Sequence, residues 1–237
     1  KFLATIVLVP LMAVASEGGF ALDRAPDRAN DLSALQNGAR LFVNYCLNCH
    51  SASLVRYNRL RDIGLSDDQV RANLLFTSDK VGDLMKVSLS EKDAKVWFGA
   101  APPDLSVIVR AKSSGQGSGA DYVYTYLRTY YKDESRATGW NNLVYPNVAM
   151  PHVLWDLQGI RKAKFVEEKD PHDSSKIIHK FEGFEQIKPG KLSSQAYDAQ
   201  IADLVGFMSW MSEPVKNKRQ QLGVWVLLFM SILVFLT

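Results

Sequence analysis

The sequence contains only two cysteines, Cys46 and Cys49, and this scarcity limits what its thiols can do. A structural zinc site takes four ligands, and the sequence has no second cysteine pair to complete one. A disulfide between residues so close in the chain would close almost no loop and would stabilise the fold little. A thioredoxin-like dithiol would need a βαβ setting, whereas the pattern around these cysteines is helical. The two thiols are therefore expected to serve another chemistry.

The net charge of the chain is small, and the sequence contains no internal repeat. The formal net charge is only +3, which gives no electrostatic indication of a nucleic-acid partner. No internal repeat is visible, and a composition with 47% hydrophobic and 22% charged residues excludes a globally disordered chain. A chain of 237 residues corresponds to one large domain or two small ones.

The N-terminus has the pattern of a secretory signal peptide. Lys1 precedes an apolar run, Phe2–Ala15, which ends in Ala-Val-Ala before Ser16. The run is shorter than the roughly 20 residues that cross a bilayer, so export is favoured over a membrane span. Retention of residues 1–15 as an anchor is the alternative.

Residues 222–237 form a second apolar run that contains no charged residue. The run is apolar on every face, as expected of a transmembrane helix, and we expect the far end of that helix to lie beyond the last residue. The basic run before it, residues 216–221, would lie on the outer side of the membrane, against the positive-inside tendency. A basic tail or partner subunits would then set the orientation. The predicted organisation is a signal-like segment 1–15, an exported domain 16–215 and an anchor region 216–237.

The exported domain is predicted to be mainly α-helical, because apolar residues recur at helical spacing between capping residues, glycine and proline. The predicted helices are 31–46, 67–76, 91–99, 120–133 and 193–213. Residues 134–152 contain glycine, asparagine and proline and predict a loop. Residues 165–187 alternate apolar and polar side chains and predict a β-hairpin with its turn at 170–175.

Residues 46–50 read Cys-Leu-Asn-Cys-His and match the motif that attaches a c-type haem. Two thiols about one helical turn apart can each form a thioether with a haem vinyl group, and the histidine that follows can bind the iron. Export supports this interpretation, because a chain without other cysteines cannot mispair in an oxidising compartment. The motif predicts one covalently attached haem c, with Cys46 and Cys49 as attachment sites and His50 as an axial ligand.

The second axial ligand of this haem is predicted to be Met150. It lies in a loop-like stretch next to Pro151, where no helix competes for its side chain, and a thioether ligand raises the potential of a haem. Met85, in another loop-like segment, and His152, which would give a bis-histidine haem, are the alternatives. The remaining methionines fit core packing or the apolar termini: Met12, Met208, Met211 and Met230.

Together these features resemble the cytochrome c1 family, the haem subunits of ubiquinol–cytochrome c reductase (bc1) complexes, here of bacterial type. The resemblance covers residues 30–237. Its specific parts, besides the haem motif and the apolar tail, are APPDLSVIVRAK at 101–112, DYVYTYL at 121–127 and NVAMPHVLW at 147–155. It implies a mainly α, class I cytochrome c-like haem domain with long insertions, a β-hairpin and a C-terminal transmembrane helix. The first and last helices of that domain would cross beside the haem.

The resemblance gives the covalent and axial residues the roles predicted above and adds contacts with a haem propionate. In relatives an arginine and a tyrosine approach the propionate, and the matching positions here are Lys112 and Tyr122. Lysine can pair with a propionate as a point charge but not as a bidentate fork. Arg110 is the nearby arginine that would substitute. The alternative for all three is a surface or core role, and Tyr122 repeats with Tyr126 and Tyr130 at the spacing of packed aromatics.

The resemblance implies a single-electron relay, with no catalytic residue in this chain. The haem would take electrons from a Rieske iron–sulfur protein and pass them to a soluble or membrane-bound cytochrome c. Cytochrome b would be its membrane partner, in a dimeric, proton-translocating complex of the bacterial cytoplasmic membrane with the haem domain in the periplasm.

Two other functions stay open: a tail-anchored monohaem carrier that serves a terminal oxidase, and a haem sensor or enzyme with an open sixth position.

The sign of the charge on the surface of the electron acceptor also stays open. Mitochondrial relatives present an acidic surface to cytochrome c, whereas the acidic clusters of this chain are modest and interleaved with lysines.

Overall fold

The structure is a computed structural model that describes residues 20–87, 89–169 and 177–236. Within these ranges the chain forms a mainly α-helical fold with three two-stranded sheets. The signal-peptide-like segment 1–15 and the predicted turn at 170–175 lie outside the described residues.

Helices make up most of the regular structure. They are α1 (Leu32–Leu41), α2 (Asp67–Asn73), α3 (Glu91–Phe98), α4 (Ile108–Ala111), α5 (Gly119–Arg128), α6 (Trp155–Gln158), α7 (Ser194–Ser212) and α8 (Lys216–Leu236). A π-helical segment, Phe42–Cys46, continues α1, and a 3-10 helix spans Tyr57–Ile63. Helices therefore occupy each of the segments for which helical periodicity predicts them.

The strands form three antiparallel pairs. They are β1 (Ala52–Arg56) with β2 (Leu84–Met85), β3 (Tyr130–Lys132) with β4 (Trp140–Asn142), and β5 (Gly159–Lys169) with β6 (Ile177–Pro189). The last pair is the predicted hairpin, although it begins earlier than residue 165. Gly159 permits the early start, because its φ is +87° and an added Cβ would lie 2.3 Å from the carbonyl oxygen of Lys188.

The prediction of a helix over 120–133 was wrong at its C-terminal end, and the prediction of a pure loop over 134–152 was wrong at β4. The side chain of Asn142 donates from Nδ2 to the carbonyl oxygen of Tyr126 at 2.7 Å. That oxygen is the acceptor that Tyr130 N–H would use in a longer helix. The helix therefore ends at Arg128, and the next residues pair as β3 with β4.

The first and last helices of the domain, α1 and α7, cross at Gly38. A Cβ at this position would lie 2.2 Å from the backbone oxygen of Asp203 and 2.6 Å from Cβ of Phe207. Only glycine therefore allows the two helices to approach this closely. Beside the crossing, the rings of Phe42 and Phe207 pack with their centroids 5.6 Å apart. This contact confirms the crossing that the resemblance implies.

An arginine ties α5 to α7 and to the N-terminal segment. The Nε and Nη2 groups of Arg128 donate to the two carboxylate oxygens of Asp198 at 2.6 and 2.7 Å. Its Nη1 group donates to Asp23 at 2.6 Å. A bidentate pair of this kind fixes the relative position of the two helices more firmly than a single contact would.

The helix α8 is a candidate membrane anchor. Within the described part of the chain, Lys218–Leu236 is the one helical stretch long and apolar enough to cross a bilayer, with a mean hydropathy of 1.7. Its side chains are not buried against the rest of the molecule. At about 1.5 Å per residue, such a helix spans most of the roughly 30 Å of a hydrocarbon layer.

Candidate haem site

The two cysteines and His50 lie in a tight turn at the end of α1. Asp31 caps this helix by accepting a hydrogen bond from Ala34 N at 3.1 Å, and the π-helical segment then carries the chain to Cys46. The carbonyl oxygen of Cys46 accepts hydrogen bonds from the backbone N–H groups of Cys49 and His50 at 3.1 and 2.9 Å. The turn therefore holds two thiols and an imidazole together at one end of α1.

The thiol of Cys46 is kept neutral by its surroundings. Burial, and to a smaller extent the neighbouring Cys49, raises the pKa of this thiol to about 12. Among the described residues, no group of three or more histidine, cysteine or acidic side chains could hold a metal ion. The described surroundings of Cys46 therefore lack the four ligands of a structural zinc site.

The imidazole of His50 is oriented by a backbone carbonyl. Its Nδ1 lies 2.7 Å from the carbonyl oxygen of Pro103. A carbonyl oxygen only accepts hydrogen bonds, so Nδ1 carries the proton and Nε2 keeps its lone pair in the neutral ring. Burial lowers the pKa of His50, although the Pro103 carbonyl and the charge of Asp104 oppose this effect in part. The neutral ring is therefore favoured, with Nε2 free to bind a metal.

Asp104 holds the loop of Pro103 against β1. Its carboxylate accepts hydrogen bonds from N and Oγ of Ser53 at 2.8 and 2.6 Å and from Ser106 N at 2.8 Å. Partial burial by itself raises the pKa of the Asp104 carboxyl, but the hydrogen bonds from Ser106 and Ser53 outweigh it and lower the pKa. The ionised carboxylate thereby fixes the backbone next to the carbonyl that orients His50.

Two cavities adjoin at His50 and Met150. The larger has a volume of about 320 Å³, and its lining includes Cys46, His50, Lys112, Tyr122, Tyr126, Met150 and Met208. The smaller has a volume of about 170 Å³, and its lining includes Cys49, His50, Phe98, Ala101, Met150 and Pro151. One cysteine therefore faces each cavity, and the predicted axial pair faces both.

This arrangement fits a c-type haem. An imidazole nitrogen and a thioether sulfur are the axial ligands found in cytochromes c, and thioether ligation raises the potential. Both donors are uncharged, and mostly apolar side chains line the space between them. The residues that would hold the group are thus Cys46, Cys49, His50 and Met150.

The alternative distal ligands lie elsewhere. Met85 is fully buried in β2 and lines neither cavity, and His152 is only 1% exposed and also lines neither. The ring of His152 is stacked on Tyr130, with the centroids 4.7 Å apart. Met208, which the sequence analysis assigns to core packing, is a core residue that also lines the larger cavity, because α7 passes beside it.

Of the three residues predicted to approach a propionate, the structure brings two to the larger cavity. Lys112 and Tyr122 both line it, and Lys112 Nζ lies 5.0 Å from the centre of the Tyr122 ring. Arg110 is exposed and lines neither cavity. Positions two apart on a helical turn face different directions, which separates Arg110 from Lys112.

Tyr126 is a further residue of the site, and its sequence pattern alone did not reveal this position. Only Tyr122 of the repeated tyrosines was predicted to approach the haem, yet Tyr126 also lines the larger cavity. The Tyr126 hydroxyl oxygen lies 3.5 Å from Sδ of Met150, within hydrogen-bond distance of the sulfur. The available signal was the spacing itself, because a residue one turn after Tyr122 faces the same side of the helix.

Comparison with known proteins identifies the family. The model of the cytochrome C1 family matches residues 24–81 and 76–176, which together exceed half of the chain. The chain belongs to the cytochrome c1 family. It is 40% identical to cytochrome c1 of Allochromatium vinosum, over 98% of this chain and 91% of that protein. It is 44% identical to a Nitrosomonas europaea protein named ammonia monooxygenase gamma subunit, over 100% and 93% of the two chains. The resemblance drawn from the motifs is thus confirmed.

More distant relatives carry the same family name. Cytochrome c1 of Rhodospirillum rubrum is 26% identical over 93% of this chain and 86% of that protein. Membership of the cytochrome c1 family implies a covalently bound c-type haem and an electron-transfer role for this chain. It also agrees with the mainly α fold and the candidate anchor α8.

Proposed function

We propose that this chain relays single electrons from a Rieske iron–sulfur protein to a cytochrome c, as the haem subunit of a quinol–cytochrome c reductase. One observation carries the proposal: His50 and Met150 line the same two cavities, with Cys46 at one and Cys49 at the other. Three residues of one short motif and Met150, about a hundred residues later in the chain, would thus supply the attachment and axial groups of one haem.

The chain holds and orients this haem while the cofactor carries the electron. Cys46 and Cys49 would bind it through thioethers, with His50 Nε2 and Met150 Sδ at the axial positions. When bound, the haem supplies a one-electron couple, and no bond of a substrate is broken. The Pro103 carbonyl keeps the proton on Nδ1 of His50, and the mostly apolar lining would give the haem a surrounding of low polarity.

The larger cavity supplies the propionate end of the site. Lys112 and Tyr122 lie there, and they give a cation and a hydroxyl group that suit a carboxylate. Because Arg110 does not reach this cavity, Lys112 is the residue proposed for the charge contact. It would act as a point charge and not as a fork.

The surface beside the smaller cavity is the proposed contact site for the protein that accepts the electron. Phe98 lines its mouth and is 45% exposed, and the neighbouring Trp97 is 68% exposed. Exposed aromatic side chains next to a cofactor are typical of a contact surface, since aromatics are enriched at interfaces. We assign this edge to the cytochrome c partner, which would dock mainly through apolar contact.

The membrane arrangement follows the three predicted regions. Residues 1–15 would direct export, residues 16–215 would form the periplasmic haem domain, and residues 216–237 would anchor it beside cytochrome b. The assembly proposed is a dimeric, proton-translocating complex in the bacterial cytoplasmic membrane. An ion pair between Glu213 and Arg219 at 2.5 Å joins the end of the haem domain to the start of α8.

Affinity purification of the full-length chain from solubilised membranes tests the assembly. We expect a di-haem cytochrome b and a Rieske protein to be recovered with it, together with quinol–cytochrome c reductase activity. Recovery of a terminal oxidase alone would favour the monohaem carrier. Recovery of monooxygenase subunits would favour the assembly that the name of the Nitrosomonas europaea relative describes. Rapid binding of carbon monoxide by the reduced protein would favour a sensor with an open sixth position.

A further inference from the structure

Two tyrosine hydroxyl groups converge on Met150 from α5 and β3. Tyr126 Oη lies 3.5 Å from Met150 Sδ, and Tyr130 Oη lies 3.3 Å from the carbonyl oxygen of Met150. The two hydroxyl oxygens lie only 2.6 Å apart, and either can be the donor to the other. Among the described residues, neither hydroxyl has another hydrogen-bond partner.

The protons of this cluster are too few for its hydrogen bonds. Each hydroxyl carries one proton, so two protons serve three contacts: the oxygen–oxygen contact, the sulfur and the carbonyl. If Tyr130 donates to Tyr126, then Tyr126 donates to Met150 Sδ. If Tyr126 donates to Tyr130, then Tyr130 donates to the Met150 carbonyl, and the sulfur receives no hydrogen bond.

The rings that carry these hydroxyls are held in place. Tyr130 is fully buried, stacked on the ring of His152 and in edge contact with Tyr126, with centroids 5.2 Å apart. Tyr122 stacks on the other side of Tyr126 at 6.1 Å. A tyrosine hydroxyl ordinarily loses its proton only at about pH 10, so both hydroxyls keep their protons at neutral pH. Only rotation about the C–O bonds remains.

We propose that Tyr126 and Tyr130 form a two-position hydrogen-bond switch on Met150, with both positions populated. In the first position the thioether sulfur accepts a hydrogen bond from Tyr126, and in the second it does not. Each proton stays on its own oxygen, so the change is a paired rotation of two hydroxyl groups and no proton is transferred. The proposal rests on Met150 being the distal ligand of the haem.

The switch tunes the potential through the sulfur. A hydrogen bond to the thioether withdraws electron density from the axial ligand, which stabilises the reduced iron and raises the potential. Oxidised iron draws on the same lone pairs and makes the sulfur a weaker acceptor. Reduction therefore favours the first position and oxidation favours the second. Tyr126 and Tyr130 are positioning residues in this scheme, because they act on the iron through Met150.

Tyrosine-to-phenylalanine variants of the full-length holoprotein test the switch, with the reduction potential as the readout. In Tyr126→Phe the sulfur loses its donor, so the potential falls. In Tyr130→Phe the remaining proton of Tyr126 has only the sulfur to bond, so the potential rises. We expect each change to be about three- to tenfold in the equilibrium constant for reduction, which is roughly 30–60 mV for one electron. The double variant should match Tyr126→Phe.

Shifts of the same sign, or an unchanged potential in either single variant, would overturn the switch. The matched control is Tyr124→Phe, because Tyr124 is buried on another side of α5, against Arg128, and should leave the potential unchanged. The iron–methionine absorption band separates this proposal from the one on which it rests. Absence of the band in the wild-type protein contradicts ligation by Met150, whereas a band with same-sign shifts contradicts only the switch.

Discussion

The carboxylate of Asp104 accepts a hydrogen bond from the hydroxyl of Ser53 at 2.6 Å, across 51 residues of sequence. Asp104 follows Pro103, whose carbonyl orients His50, and Ser53 follows the haem motif on β1. The contact therefore fixes the distance between the motif and the loop that sets the tautomer of its histidine. The next residue, Leu105, reinforces it by donating from its backbone N–H to Ser51 O at 2.8 Å.

Asp104→Asn is expected to loosen this loop. The variant loses charge-assisted hydrogen bonds at a partly exposed site, so we expect a loss of about 1 kcal/mol in the free energy of unfolding at neutral pH. The pKa of Asp104 is lowered in the folded state, so its contribution is present above the ordinary carboxyl pKa of 3.8 and is lost as the pH falls below it. Thermal unfolding of both proteins at neutral and acidic pH measures the difference. A gap that does not narrow in acid contradicts the prediction, and Asp68→Asn, at a 95% exposed side chain, is the control.

Met150→Leu is expected to remove the distal ligand without disturbing the fold. The iron–methionine absorption band should disappear, the potential should fall, and the reduced protein should bind carbon monoxide. Met85→Leu is the matched control, because Met85 is equally a methionine but is buried in the core and lines neither cavity. A swap of this kind in a core costs less than about 1.5 kcal/mol. If Met150→Leu keeps the band, another residue is the ligand.

Lys112→Gln is expected to lower the potential, because a cation next to the haem favours the addition of an electron. The side chain is exposed, so the effect should stay within about 0.2–1 kcal/mol, or roughly 10–40 mV, and should shrink at high salt. Arg110→Gln removes the same charge two positions earlier, where the side chain does not reach the cavity. Potentiometric titration of both variants shows which of the two cations lies close enough to the haem to change its potential. A larger shift in Arg110→Gln would contradict the assignment of Lys112.

The double change Trp97→Ser and Phe98→Ser is expected to slow electron transfer to the cytochrome c partner. Exposed aromatics at the centre of an interface contribute more than about 1 kcal/mol each, so the second-order rate constant should fall at least about tenfold. Because the contact is apolar, the fall should depend little on ionic strength. Stopped-flow kinetics over a salt series measure both effects. Phe76→Ser, at a position 61% exposed and away from the cavities, should leave the rate unchanged. An equal loss in that variant would argue against a docking surface at α3.

Gly38→Ala is expected to destabilise the crossing of α1 and α7. The added Cβ would meet a backbone oxygen at 2.2 Å, and a backbone atom cannot move aside as a flexible side chain can. Overpacking of this kind costs about 1–3 kcal/mol, and each kcal/mol lowers the melting temperature by about 2–4 °C in a chain of this size. Gly82→Ala is the control, because nothing lies within 4 Å of its added Cβ. Equal melting temperatures for both variants would show that the crossing can relax.

Features that depend on neighbours in the sequence could be predicted without the structure. The spacing of two cysteines and a histidine is itself the chemical requirement for haem attachment, so residues 46–50 carry that signal alone. The apolar run of α8 and the stripe of α7 likewise follow from composition and periodicity. These elements, with the mainly α fold and the family, are the part of the prediction that the structure and the comparisons confirm.

Features that depend on distant residues could not be predicted in this way. Helix α5 ends early because Asn142, from a later strand, takes the carbonyl oxygen that the next turn needs. No residue near Tyr130 in the sequence indicates that Asn142 will compete for this carbonyl oxygen. The different surroundings of Arg110 and Lys112 could not be predicted either. Both side chains are cationic, but they point in different directions at the end of the short helix α4, and only Lys112 lines the larger cavity.

Covalent haem attachment and the apolar tail follow from the sequence alone, because attachment needs only local spacing and the tail is a continuous apolar run. Which groups line the two cavities depends on tertiary packing. The Pro103 carbonyl, the hydroxyl of Tyr126, the side chain of Met208 and the exposed ring of Phe98 meet around the two cavities. They come from α3, α5, α7 and the loop before α4, and no periodicity within one segment can show where another will pack against it.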